Sequence, residues 1–260
     1  TIISSGGFLI VNNISEILQS DFQIYVFSLT MLISFFGILL PYNILFLKKK
    51  DIFVFTEDFY LLIYLIFLVA IFFIFFNQSN NFSITFFSMI SSISNIGFSF
   101  ELNNQNNFIF LILVIIGGSL VSTSSGLRFF KIFLLTKFSF NELVSHAKPK
   151  QILLNKTFFS KTKIDLNDIN KYFFTIIIFI LSLTTLTSIL TLFNFDFENA
   201  FKLAILTLMN TVNSGLHGLD YLNFSEFSFF LKITLSIFMI IGRIEFITIL
   251  ILIKKFVFKN

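Results

Sequence analysis

Four stretches of this chain, Phe22–Leu47, Phe59–Phe76, Tyr172–Phe193 and Phe227–Ile253, are apolar for long enough to cross a bilayer. Spanning the hydrocarbon core takes a helix of ~20 residues. Charged residues make up 12% of the chain, hydrophobic residues 56%, and the mean hydropathy is +0.91. A soluble domain carries about 25% charged residues, so this chain cannot cover a water-facing surface with polar groups. In lipid, backbone N–H and C=O groups must find partners inside the segment itself, which leaves helices or closed barrels. Runs of this length and composition indicate an all-α integral membrane protein. There is no Cys, so no disulfide can form. The 43 Phe, with many Ile, Asn and Lys, fit an AT-rich genome and carry no functional reading. The first residue is Thr1 and no signal-peptide pattern precedes an apolar stretch. A fragment of a longer protein, or a missed start site, is therefore expected.

Of the 18 Lys and Arg, all but Lys202, Lys232 and Arg243 fall in three clusters: Lys48–Lys50, Arg128 to Lys171, and Lys254 to Lys259. The positive-inside rule assigns these clusters to the cytoplasm. Glu16, Asp21, Glu101, Asp196, Glu198, Asp220 and Glu226 then fall outside. Between the clusters, full-length apolar runs do not account for everything, because two shorter pieces remain, Phe82–Ile93 and Phe197–Met209. Apolar pieces of 10–14 residues suit re-entrant helices better than spans. The expected order is therefore helix, half-helix, irregular loop, helix, occurring twice. The first unit is Phe59–Phe76, Phe82–Ser94, Asn95–Ser99 and Asn107–Lys137. The second is Tyr172–Phe193, Phe197–Val212, Asn213–Gly218 and Phe227–Phe258. Thr1–Phe8 followed by Phe22–Leu47 fits the tail of a third unit. The expected organisation is residues 1–47 as the end of one repeat, 48–138 as the next, a hydrophilic linker at 139–171, and 172–260 as the last repeat. That linker reads as a solvated, membrane-hugging loop or as a docking surface for a regulatory partner.

Three short segments break the apolar pattern after a half-helix. They are Ser4-Ser5-Gly6-Gly7-Phe8, Ser94-Asn95-Ile96-Gly97-Phe98-Ser99 and Asn213-Ser214-Gly215-Leu216-His217-Gly218. Irregular backbone at membrane depth survives only against protein or water. Glycine there can take positive φ and aim successive carbonyls at one axis, and rings of carbonyls can replace the hydration shell of a monovalent cation. Candidate ion-binding residues are Ser4, Ser5, Gly6, Gly7, Asn95, Ile96, Gly97, Asn213, Ser214 and Gly215. A second polar interruption, Gly117 through Gly126, contains Gly117, Gly118, Ser119, Ser122, Thr123 and Gly126. Small residues can mean close helix packing, but a ten-residue run with eight Gly, Ser or Thr points to a broken helix. Arg243 and Glu245 lie in the last apolar run, where a charge is costly. They read either as a structural ion pair or as an Arg that anchors the Gly117–Gly126 segment beside a cation path. His146 and His217 stand alone without metal-ligand spacing. No nucleophile or phosphate-loop motif occurs, and the basic residues lie along membrane exits, so neither enzyme chemistry nor nucleic-acid binding is supported.

At these residues the chain resembles the Trk/Ktr/HKT superfamily of potassium transporters, and the resemblance covers essentially all of its length. Ser4–Phe8, Ser94–Ser99 and Asn213–Gly218 are similar to the family's second, third and fourth filter strands. Gly117-Gly118-Ser119, Ser122-Thr123 and Gly126 are similar to the loop that gates the pore below the filter. Gly242-Arg243-Ile244-Glu245 is similar to the last-helix motif of the TrkH branch, and His146 through Pro149 to its linker. The resemblance departs at Ser124-Ser125, where glycines are usual, and at Leu216-His217, where Pro-Gly is usual. It implies potassium ion as substrate bound at the filter and no covalent cofactor. It also implies a gate of Gly117, Gly118, Ser119, Ser122, Thr123, Gly126 and Arg243. The expected partners are a cytosolic nucleotide-binding regulatory subunit of the TrkA type and a second copy of the chain, in the cell inner membrane. The first repeat and most of the second lie outside this sequence. A poorly selective Na⁺/K⁺ channel and a degenerate, non-transporting subunit are the competing readings.

Overall fold

The computed structural model describes residues 14–37, 52–76, 82–98, 100, 107–119, 122–147, 166–211, 215–219 and 222–243. Eight α-helices run through them: α1 (Asp21–Phe35), α2 (Ile52–Phe76), α3 (Phe82–Ile93), α4 (Asn107–Ile115), α5 (Phe129–Ala147), α6 (Leu166–Leu192), α7 (Phe197–Met209) and α8 (Phe229–Arg243). Two-residue strands β1 (Ile116–Gly117) and β2 (Leu127–Arg128) pair in parallel between α4 and α5. Single 3₁₀ turns occupy Ile14–Glu16, Gly215–His217 and Phe224–Glu226.

Local sequence explains where several helices start and stop. The Ser20 side chain caps α1 by accepting from the Gln23 N–H, while Gln23 reaches back to the Ser20 N–H. This reciprocal arrangement satisfies donors that a helix start leaves unmet. The run Phe22–Leu47 does not form one span. Helix α1 ends at Phe35, and Phe36 is extended with ψ 163°. The carbonyls of Ser34 and Phe35 instead accept from the N–H groups of Ser124 and Ser119, and the Gly37 N–H donates to Asp58 Oδ1 at 3.0 Å. The helix stops where a distant segment takes its hydrogen-bonding groups. The run Asn107–Lys137 is likewise not one helix, since α4 ends at Ile115 and helix resumes at Phe129.

Two apolar cores lie side by side. Helices α1, α2, α3 and part of α4 bury Met31, Phe35, Leu61, Phe87, Met89 and Ile93. Helices α6, α7, α8 and the other face of α4 bury Leu186, Leu190, Leu203, Leu206 and Leu235. Two exchanges tie the cores together. Leu216, from the loop after α7, sits in the first core, while Leu111 and Val114 of α4 sit in the second.

Glu57–Ile74 of α2 and Ile169–Leu192 of α6 are long and apolar enough to cross a membrane. Much of their surface faces outward, as do Ile66, Phe67, Ile74, Ile180 and Leu181. Apolar patches of that extent are rare against water and natural against lipid.

Candidate functional site

The short helix α3 is buried on nearly every side, including the hydroxyl residues Ser88 and Ser92. Such groups need partners inside the protein. Ser88 donates to the Ile84 carbonyl, Ser92 to that of Ser88, and Ser94 to that of Ile90. The helix ends in a left-handed turn at Asn95, whose φ is 58°. The Asn95 N–H donates to Ser92 O and the Ile96 N–H to Ser91 O, the paired bonds that close a helix C-terminus. Asn is one of the few L-residues that enter this region readily. Gly97 follows at φ 84°, where a side chain would strain the backbone. The Asn95 side chain does not idle at this turn, because its Nδ2 donates to the Ser125 carbonyl at 2.8 Å. The loop after α3 and the polar interruption are therefore one bonded unit.

The interruption itself is held from four directions. Its backbone docks on the end of α1 through Ser119 and Ser124, and Thr123 Oγ1 also donates to Ser34 O. The approach is so close at Gly118 that a β-carbon there would lie 2.1 Å from Phe35 O. Within the segment, the Gly118 N–H donates to Ser124 Oγ, which lies 3.0 Å from Ser122 Oγ. Gly126, at φ 95°, turns the chain into β2. Arg128 closes the segment like a clasp. Its Nη1 lies 3.2 Å from Ser119 O, 3.3 Å from Ser122 O, 3.0 Å from Ser122 Oγ and 2.9 Å from Ser124 O. One nitrogen with two hydrogens is thus shared among four acceptors.

The fourth contact comes from α8. Gly242 brings that helix against the backbone of α7, and a β-carbon on it would sit 1.9 Å from Leu208 O. Asn210, the left-handed C-cap of α7 at φ 53°, donates its Nδ2 to Met239 O at 2.9 Å. Held this way, α8 delivers Arg243 to the interruption, where Nη1 donates to Ser125 Oγ at 3.0 Å. Between these elements lies a cavity of about 60 Å³ bordered by Gly126, Arg128, Lys131, Ser182, Met209 and Gly242.

The structure brings together Asn95, Ile96, Gly97, Gly117, Gly118, Ser119, Ser122, Thr123, Gly126 and Arg243. Ser4, Ser5, Gly6, Gly7, Asn213, Ser214 and Glu245 lie outside the described residues, so the Arg243–Glu245 pairing does too. Gly215 opens a 3₁₀ turn whose Leu216 and His217 are fully buried. The two loops leave their helices differently. The left-handed Asn95 stands two residues before Gly97, whereas the left-handed Asn210 stands five before Gly215. Both ring nitrogens of His217 lack a hydrogen-bond partner among the described residues.

Three contributors escape a sequence reading. Arg128 looks like a basic residue at a membrane exit, yet its guanidinium turns back into the segment; the oxygen-rich run just ahead of it was the available signal. Ser124 and Ser125 look like departures from glycine, yet their hydroxyls accept from the Gly118 N–H and from Arg243, bonds that glycine cannot make.

No protein-family model matches the sequence, and no curated protein matches it. Among solved structures, the potassium transporter TrkH from Vibrio parahaemolyticus superposes with a TM-score of 0.82 at 21% identity, over 96% of this chain. The chain spans 56% of that protein's length. Along nearly its whole length, this chain therefore has the fold of part of a helical membrane transporter.

Proposed function

We propose that the chain supplies part of the ion path of a potassium uptake protein of the Trk type, with the loops after α3 and α7 contributing to a carbonyl filter and the Gly117–Gly126 segment acting as its gate. The observation that carries the reading is the bonded unit of Asn95, Gly97 and the interruption. A buried short helix ends in two left-handed residues, and directly against it lies an irregular, hydroxyl-lined stretch of backbone. Non-helical backbone at this depth is tolerated where it lines a cavity, and carbonyl-rich strands suit a monovalent cation. The order of long helix, short helix, loop and helix, present in residues 52–115 and again in 166–243, supports the same reading. So does the fold shared with a potassium transporter.

In this reading the protein does no covalent chemistry. The filter carbonyls replace ion hydration, Arg128 holds the gate segment in shape, and Arg243 anchors it while opposing cation passage electrostatically. The chain sits in the inner membrane as a multi-pass protein, works with a nucleotide-binding regulatory subunit on the cytoplasmic side, and pairs with a second copy. Gly97→Ser in the full-length protein tests the filter. A β-carbon at φ 84° reorients the neighbouring peptide units, and K⁺ over Na⁺ selectivity in vesicle flux falls ~10-fold. Unchanged selectivity would remove this loop from the filter.

A further inference from the structure

Asp58 is a carboxylate in the apolar span of α2 and is 3% exposed. Its Oδ1 accepts from the Gly37 N–H, but its Oδ2 has no hydrogen-bond partner among the described residues. Ser119 Oγ, on a residue 1% exposed, is equally unpartnered. The two orphaned oxygens face the same place. A β-carbon built on Gly37 would lie 3.1 Å from Ser119 Oγ, 3.2 Å from Asp58 Oδ2 and 3.3 Å from Asp58 Oδ1. Three oxygens from two elements, the span α2 and the polar interruption, thus surround the bare face of one glycine at the end of α1.

A buried carboxylate without a counter-charge is costly, and among the described residues no basic side chain pairs with Asp58. The nearby Ser119 N–H is committed to Phe35 O and does not serve Oδ2. We propose that Asp58 and Ser119 form a binding site for a single alkali-metal cation, Na⁺ or K⁺, which joins α2 to the back of the Gly117–Gly126 segment. The donors are hard oxygens carrying one negative charge, which one monovalent ion neutralises. A divalent ion would leave an excess positive charge beside the single carboxylate, whereas divalent sites usually gather more than one. The site uses none of the loop residues assigned to the filter, so it goes beyond the transport reading. Its occupant braces the segment and does not travel through it.

The test is a thermal unfolding titration of the purified full-length protein in detergent, followed by circular dichroism. NaCl or KCl is varied against choline chloride at constant ionic strength. A ligand that binds only the folded state raises the midpoint by mass action, so a saturable rise with an alkali cation and none with choline is expected. Asp58→Asn, which keeps the shape and removes the charge, lowers the rise by the share this site contributes and leaves only what cation binding at the filter adds. Gly37→Ala places a methyl group among the three oxygens and weakens the apparent affinity ~10-fold or more. This second variant keeps the test informative if the first does not fold. Gly97→Ser retains the rise, so a failed flux assay and a failed cation site give different patterns. A rise as large in Asp58→Asn as in the unmodified protein would overturn the proposal. An unmodified protein that cannot tell alkali cations from choline would also overturn it, because a proton would then be neutralising Asp58.

Discussion

The helix that follows the loop after α3 and the helix that follows the loop after α7 begin alike and end differently. Helix α4 stops after nine residues and gives way to glycine and serine. Helix α8 continues for fifteen, through Gly242 to Arg243. Glycine stands where another backbone comes within contact, just past the end of α4 and within α8. In the first, Gly117 and Gly118 meet Ser125 O and Phe35 O; in the second, Gly242 meets Leu208 O. What separates them is the fate of the backbone groups. Helix α8 keeps its own hydrogen-bond ladder and needs only clearance, whereas the segment after α4 exchanges its ladder for bonds to α1, Asn95 and Arg128. A glycine by itself does not break a helix. The break requires competing partners, and here they come from at least three places in the chain.

The largest effect expected from this contrast is at Gly242. Gly242→Ala puts a β-carbon into Leu208 O, and two helix backbones must part. The unfolding free energy should fall by about 3 kcal/mol, the upper end of overpacking costs. A loss under ~1 kcal/mol, within the range of volume-conserving core swaps, would mean that the contact is not tight and that α8 has slack.

Arg128→Gln comes next. It leaves the Ser124 carbonyl short of a donor, while the Ser119 carbonyl keeps Ser122, at a cost of about 2 kcal/mol for a buried acceptor left unpaired. Its effect should be local. Amide exchange should quicken across 117–126 and stay unchanged in α8, which separates the two regions directly. Equal acceleration in both would show them to be one cooperative unit.

Asn95→Ala removes a single bond to Ser125 O and places a less tolerant residue at φ 58°. About 1–2 kcal/mol should be lost, with exchange rising on both sides of the Asn95–Ser125 link. The smallest effect lies at the exposed start of α7, where the Lys202 side chain bonds Glu198 and holds its carboxyl below the usual carboxylate value of 4.5. Because the folded value is the lower one, its stabilising contribution is complete above the unfolded value. It disappears as pH falls through the folded value. Lys202→Gln should erase this acid-side dependence and leave the interruption untouched.

Most helices were legible from apolar runs and their lengths, since the half-length of Phe82–Ile93 is a property of composition alone. The break after α4 was legible for the same reason, because a run in which eight of ten positions are Gly, Ser or Thr does not make a lipid-facing helix. The end of α1 was not. Nothing in Phe22–Leu47 announces that Ser34 O and Phe35 O accept from residues some ninety positions later, because hydropathy registers side chains and not the partners of carbonyls. Arg243 was legible, with Glu245, as a charge within an apolar run, and its reach toward Gly117–Gly126 ends on Ser125. Asp58 carries no sequence signal, because Glu57 and Asp58 stand at the polar edge of a span, where acidic residues are ordinary.

The contact between Gly242 and Leu208 also has a mechanical meaning. Side chains between two helices act as compliant spacers that change rotamer and absorb small displacements. Here a backbone carbonyl rests against a bare α-carbon, with Asn210 fastened to Met239 O one turn away. Such a joint has little give. A displacement applied to α7 at Leu208 passes to α8 nearly undiminished, and through Arg243 to Ser125, so α7, α8 and the interruption form a stiff linkage. The position of one hydroxyl in the segment is then geared to the position of a helix in the neighbouring core.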